Sequence, residues 1–296
     1  MSRRGALLFA AMCVIWGIPY LLIKVAVREL TPASLVLGRT AIGALVLLPI
    51  ALRRGDLAGL RERWRPLLAY TVVELAFPWF ALSNAEKRLP SSLTGLLIAA
   101  VPLVGFAIGW RLGHSRDLGA RNALGLVLGL VGVGALVGFD GAGADIGSVA
   151  LVGIVVVGYA TGPVILARSL HDLPGLGVVV ASLVLCAGGY VPLVLLDPPS
   201  SLPSGRIVAS VVTLGLVCTA LAFVLFFELI QEVGPVKATI ITYVNPAVAL
   251  LLGVVFLHES LGFASFVGFT LILVGSVLAT AGSRVIQPAV ADPAPA

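Results

Sequence analysis

Ten runs of about twenty mostly apolar residues follow one another along this chain, separated by short breaks that carry charge, proline or glycine. A helix of that length spans the hydrocarbon core of a bilayer, roughly 30 Å. Lipid offers the backbone no hydrogen-bond partners, so a spanning run of this kind must satisfy its own amides as a helix. The runs cover 5–27, 33–52, 66–85, 92–112, 119–138, 146–168, 175–196, 207–230, 237–257 and 262–283. The expected fold class is therefore an all-α integral membrane protein with ten transmembrane helices. With 59% hydrophobic and 11% charged residues and a mean hydropathy of +1.11, the chain is too apolar for an ordinary soluble domain. The first run follows Arg3 and Arg4 as a signal peptide would. It is too long and lacks a small-residue cleavage site, so it is read as a retained span.

Basic residues then orient the spans. Thirteen of the 19 lysines and arginines fall at breaks on the N-terminal side, from Arg3 and Arg4 through "RRGDLAGLRERWR" (53–65) to Lys237 and Arg284. Four, Arg28, Lys87, Arg88 and Arg206, fall on the opposite side, and Lys24 and Arg39 lie within runs. Cytoplasmic loops collect such residues, which places both termini in the cytoplasm and the chain in the plasma (inner) membrane. The formal charge of +5 is thus a topology signal, and nucleic acid is not an expected partner. The Pro/Ala-rich tail 285–296 is expected to be disordered. Cys13, Cys186 and Cys218 sit in separate runs without metal-ligand spacing and read as packing residues; neither metal nor cofactor is expected.

Sliding the chain against itself by 142 to 145 residues exposes a repeat. Trp16 meets Tyr159, Pro19 meets Pro163, Lys24 meets Arg168 and Pro49 meets Pro192. Further on, Pro90 meets Pro235, Pro102 meets Pro246, His114 meets His258, Gly125 meets Gly268 and Gly132 meets Gly275. Each copy holds five runs. Five is odd, so the second copy enters the membrane from the opposite face, which is the inverted-repeat design of many transporters. The expected units are 1–140 and 146–284, followed by the tail.

Such transporters break helices near the midplane, where the freed backbone lines a cavity. "WGIP" (16–19) and its mate "YATGP" (159–163) both place an aromatic beside a helix breaker, and Pro102 and Pro246 are a second matched pair. Helix breaks are therefore expected at Pro19, Pro102, Pro163 and Pro246. The glycine-rich runs "GLVLGLVGVG" (125–134) and "GFTLILVGS" (268–276) are expected to pack on each other.

The stretches "WGIPYLLIK", "LGRTAIGALVLLP" (37–49) and "GPVKATIITYVNPAVALLLGVVFLHESL" (234–261), in this order and in duplicate, resemble the EamA-type branch of the drug/metabolite transporter superfamily. The resemblance covers nearly the whole chain. It implies a ten-helix bundle with both termini inside, moving small metabolites such as amino acids by alternating access. It also implies a cavity lined by the first, third, fourth, sixth, eighth and ninth helices. Lys24, Arg39 and Glu259 stand where the family's recurring Lys, Arg and Gly-Glu fall. In the first half, "RLGHSRDL" (111–118) lacks the matching acidic residue.

Polar residues inside spans need a reason. Glu74 lies well within the third run and reads either as a structural carboxylic acid or as a group that binds substrate or a proton. Lys24 and Arg39 reach either toward the headgroups or toward an anionic substrate. Thr239, Thr242 and Asn245 share one face of the ninth run, suited to interhelical bonds or to ligand contact. The substrate-binding set expected from sequence is Trp16, Tyr20, Glu74, Trp79, Tyr159, Thr242 and Asn245, with Lys24, Arg39 and Glu74 as candidates for charge coupling. Expected partners are a small-molecule substrate, the bilayer and, as an open possibility, protons. A non-transport helical subunit and an intramembrane enzyme are the alternatives, although the three histidines form no catalytic motif.

Overall fold

Ser2, Thr31 and Asp145 each turn a side-chain oxygen onto an amide three residues ahead, at 2.9, 3.2 and 2.9 Å, and each thereby starts a long apolar helix. The computed structural model describes residues 2–112, 119–140, 145–199, 201–260 and 262–280. His114, the rest of 113–118, Arg284 and the tail 285–296 lie outside the described residues. Within these bounds the chain is helical without strands.

Among the described residues nine helices are long and apolar enough to cross a membrane. They are α1 (Arg3–Ala26), α2 (Pro32–Arg54), α3 (Trp64–Ala85), α4 (Ser91–Arg111), α5 (Ala120–Gly138), α6 (Ile146–Ser169), α7 (Gly175–Leu196), α8 (Gly205–Val233) and α10 (Phe263–Thr280). A shorter apolar helix, α9 (Ile241–Leu257), completes the set. It begins later than the run from 237 predicts, because a single helical turn (Pro235–Ala238) and a bend at Thr239–Ile240 precede it.

Polar contacts sort the connections onto two ends of the bundle. At the N-terminal end Arg4 pairs with Glu228 (2.9 Å), Ser2 donates to Glu232, and Arg63 pairs with Asp172 (2.7 Å). At the opposite end Arg88 pairs with Asp145 (3.0 Å), and Ser204 donates to Glu29 through its amide (2.7 Å) and hydroxyl (2.8 Å). Those two bonds hold the Glu29 carboxyl below its usual range, and the Ser148 hydroxyl and amide do the same for Asp145. Exposed pairs of this kind contribute about 0–1 kcal/mol each, so they report which ends meet more than they hold the bundle together.

The helices are less regular than lipid demands, and the irregularities are paired. In α1 the helix stops at Ile15 and resumes at Ile18, with Pro19 in the first turn of the new segment. In α4 it stops at Ile98 and resumes at Val101, followed by Pro102. Pro163 and Pro246 do not break their helices as the sequence suggests: each lies inside an uninterrupted stretch. A proline removes one hydrogen bond, and a buried membrane helix tolerates that loss where its neighbours hold the backbone in place. Instead, α3 and α8 each widen into a π-helical segment, at Thr71–Ala76 and Leu216–Leu221, 145 residues apart.

The glycine-rich helices α5 and α10 do pack on each other. Gly125 faces Gly275 and Gly132 faces Gly268, so the two run antiparallel with backbone against backbone. The helices α2 and α7 also pack on each other, as do α4 and α9.

Candidate functional site

Arg39 sits in the second turn of α2, which Thr31 and Pro32 begin. Its side chain does not snorkel to a headgroup; it is buried, with only 7% exposed. The guanidinium carbon lies 3.7 Å from the centre of the Trp79 ring, a cation–π contact worth about 2 kcal/mol or more when desolvated. Its Nε donates to Thr219 Oγ1 at 2.9 Å. Thr219 is available because the π segment of α8 turns it inward, where its hydroxyl donates to the Leu214 carbonyl at 2.9 Å. Tyr20 of α1, Tyr159 of α6, Cys186 of α7 and Cys218 of α8 lie within electrostatic reach of the same cation. Among the described residues no carboxylate comes within ion-pair distance of it.

The aromatic walls are linked. Trp79 lies close to the Tyr159 hydroxyl, and Tyr20, Trp79 and Arg39 are all buried. Tyr159 also faces Glu74. Glu74 belongs to the π segment of α3, and its Oε2 packs where a side chain on Gly162 of α6 would otherwise sit. That oxygen is buried without a hydrogen-bond partner. The π segment itself is held from α7, where Tyr190 donates to the Ala76 carbonyl (2.9 Å) and Ser182 accepts from Thr71 Oγ1 (2.9 Å). Segments of this kind recur at functional sites because they offset side chains from the helical register.

Tyr20, Arg39, Trp79, Tyr159 and Glu74 therefore gather in the middle of the bundle. The other expected site residues lie elsewhere. Trp16 packs against Phe223 and Phe226 of α8, with ring centres 6.1 and 4.8 Å away, in a cluster toward the N-terminal end that does not contain Tyr159. The Gly17 break presses on Val248 of α9. Asn245 serves that break: with its amide oriented so that both ends find suitable partners, its nitrogen donates to the Cys13 carbonyl (3.1 Å) and to Ile241 (2.9 Å). The amide of Gly17 bonds Val14 instead of Cys13, and Asn245 replaces it. Thr242 donates to the Thr239 carbonyl (2.7 Å) at the bend before α9. These groups satisfy backbone freed by broken helices.

Lys24 and Glu259 act at the end of the bundle opposite the N-terminus. Lys24 Nζ donates to the carbonyls of Glu86 (2.7 Å) and Leu89 (2.8 Å), closing the exit of α3. Glu259 accepts from the amides of Ser91 and Ser92, both 2.8 Å, and from the Ser91 hydroxyl at 3.1 Å. It thereby seats its carboxylate on the N-terminus of α4, where the helix dipole favours it. A cleft of about 420 Å³ lined by Asn84, Lys87, Arg88, Asp145, Ser148 and Leu151 opens at this end. A smaller one of about 210 Å³ adjoins Lys24, Arg28, Arg88 and Glu259.

Sequence reasoning missed Thr219 and Glu86. Thr219 had a signal: the repeat shift of 145 residues that joins Pro90 to Pro235 also joins Glu74 to Thr219. Glu86 had none, because it stands beside Lys87 and Arg88 at the end of an apolar run and looks solvated, yet it is 0% exposed.

A helical bundle with membrane-length spans and a buried charged and aromatic centre defines a polytopic membrane protein. Sequence comparison places it further. The chain belongs to the EamA-like transporter family, whose model matches residues 3–138 and again 147–281. It is 25% identical over 291 residues to the "Uncharacterized transporter YvbV" of Bacillus subtilis, covering 96% of this chain and 93% of that one. It is 28% identical over 302 residues to the "Uncharacterized inner membrane transporter YedA" of Escherichia coli, covering 95% and 94%. A solved structure described as "Crystal structure of protein" superposes with a TM-score of 0.67 at 21% identity, covering 96% of this chain and 99% of the other, which is a likeness of fold.

Proposed function

We propose that this protein is a secondary transporter that exports small carboxylate-bearing metabolites, amino acids and their relatives, across the inner membrane by alternating access. The observation that carries this reading is Arg39: a buried guanidinium stacked on Trp79, with its Nε bonded to Thr219 and, among the described residues, no carboxylate within ion-pair distance. A buried cation without a counter-ion is costly, and a substrate carboxylate would supply one. Trp79, Tyr20 and Tyr159 offer apolar faces with polar tips, and Glu74 stands ready for a substrate ammonium or a proton. The test is flux of labelled amino acids, organic acids and amines into proteoliposomes, with and without a pH gradient. Carboxylate-bearing solutes should move and simple amines should not; flux of amines alone would sink the reading.

The architecture we infer has ten spans in two inverted repeats, residues 1–140 and 146–284, with both termini cytoplasmic. The sorting of polar contacts onto two ends supports ten crossings. The facing of α5 and α10 supports the repeat: moving the Gly125–Gly275 contact through a shift of 143 residues yields the Gly132–Gly268 contact. In the chain's own background of three buried cysteines, Arg61→Cys should react with an impermeant thiol reagent only from the cytoplasm. Ser260→Cys should react only from outside, and reaction of both from one face would contradict the inversion.

A further inference from the structure

Glu86 takes no part in the centre described above, although its surroundings are those of a working group. It follows Ala85, one residue beyond the span of α3. Its side chain is wholly buried, and neither carboxyl oxygen has a hydrogen-bond partner. Lys24, the cation that acts on it, is engaged with the backbone, donating to the main-chain carbonyls of Glu86 and Leu89. No ion pair among the described residues joins Lys24 to the Glu86 carboxylate.

The groups facing Glu86 are Lys24 and Tyr20 from α1, Tyr159 from α6, and Glu259 from the α9–α10 connection. Glu259 is itself held by the α4 amides, so its carboxyl oxygens are already engaged and it is no partner for Glu86. An ionised carboxylate that is dry, unpartnered and close to another is unstable, whereas the neutral acid is not. Burial accordingly holds the Glu86 carboxyl well above its usual range, opposed by Lys24 and reinforced by Glu259. Water is not far away. Lys24 and Glu259 also line the cleft of about 210 Å³ that opens at this end, so Lys24 links the backbone of Glu86 to the cleft.

We propose that Glu86 is a proton site of the transport cycle: it is a neutral carboxylic acid while this end of the bundle is closed, and it loses its proton to cleft water when the Lys24 contacts open. The step balances simply. The carboxyl O–H bond breaks, the proton goes to water, and the carboxylate left behind is stabilised by hydration and by Lys24; closure reverses each change. Proton concentration on that face then sets how readily the end closes. Glu74, unpartnered too, sits in the centre of the bundle against Gly162 and away from this cleft, so the two carboxyls serve different steps. The proposal rests on the transporter reading for its place in a cycle but not for its chemistry.

Proton occupancy can be read without any substrate. Infrared difference spectra of the full chain in liposomes, taken between neutral and alkaline buffer, resolve the C=O stretch of protonated carboxyls. The wild type should show a component that disappears on the alkaline side. Glu86→Gln should lose that component entirely, whereas Glu29→Gln, altering an exposed carboxylate at the same end, should keep it. Should Glu86→Gln fail to fold, Glu86→Asp carries the test and should retain the component with a displaced midpoint. Identical spectra for wild type and Glu86→Gln, or an unmoved midpoint in Glu86→Asp, would overturn the proposal. A chain that shows the component yet moves no metabolite would tell against the transport reading alone.

Discussion

Gly125→Ala should lower the melting temperature of the detergent-solubilised protein, and Gly134→Ala, on the same helix, should not. Intrinsic propensity alone predicts that both should raise it equally, since alanine is favoured over glycine in a helix interior by about 0.8–1 kcal/mol. The interface decides otherwise. A Cβ on Gly125 would lie 2.4 Å from the Ala279 amide nitrogen and 2.6 Å from the Gly275 carbonyl oxygen, whereas a Cβ on Gly134 meets nothing within 4 Å. The obstructing atoms are backbone, so no side chain can swing aside and α10 itself must retreat. Overpacking of this sort costs roughly 1–3 kcal/mol for a small intrusion. A leucine at 125 should go further and leave the chain aggregated on size-exclusion chromatography. Equal melting temperatures for the two alanine variants would show that α5 and α10 are not in backbone contact.

That contact was legible in the sequence because membrane helices approach closely only through small residues, and the glycines fall at matching steps of the repeat. The positions of the apolar helices were legible for a related reason: in lipid, hydropathy and backbone satisfaction select the same segments. Arg39, Trp79, Tyr20, Tyr159 and Glu74 were marked as polar or amphipathic groups inside spans, and the fold brings them together. What pattern could not reveal is which neighbour each group meets. Trp16 resembles Tyr159 in type and repeat position, yet the α1 break turns it toward Phe223 and Phe226, while α6 runs unbroken past Tyr159. The proline signals were ambiguous for the same reason. Pro19 follows a glycine that Val248 and Asn245 press upon, whereas Pro163 lies one residue from Gly162, over which α3 packs and keeps α6 straight. The α3 and α8 π segments have no composition signature, and Glu86 is buried by tertiary contacts from α1 and α6 that no local window contains.

Arg39→Met should abolish transport while leaving the fold standing, a combination that separates a binding cation from a structural one. Loss of the guanidinium removes the Trp79 contact, worth about 2 kcal/mol, and the bond to Thr219, whose hydroxyl still donates to Leu214. It also removes the desolvation cost of a buried charge that has no carboxylate partner among the described residues, and apolar replacement of such charges is often neutral or stabilising. The two effects offset, so the melting temperature should move little. Transport has no such compensation. Losing the partner of a buried substrate carboxylate costs about 3–5 kcal/mol, which at about 1.4 kcal/mol per factor of ten is a loss of more than a hundredfold in apparent affinity. Arg39→Lys should fall between, because an ammonium keeps the charge but neither stacks flat on Trp79 nor reaches Thr219 with a second planar donor. The measurement is concentration-dependent flux of a carboxylate-bearing solute in proteoliposomes, alongside thermal denaturation of each variant. Undiminished flux in Arg39→Met would remove Arg39 from the site, and unfolding of that variant would make it a structural residue instead. The repeat sharpens the expectation: the mate of Arg39 under the 143-residue shift is Ser182, which bonds Thr71 in the facing π segment. One half therefore presents a cation where the other presents a hydroxyl, and a single anionic group should find one seat in the bundle rather than two.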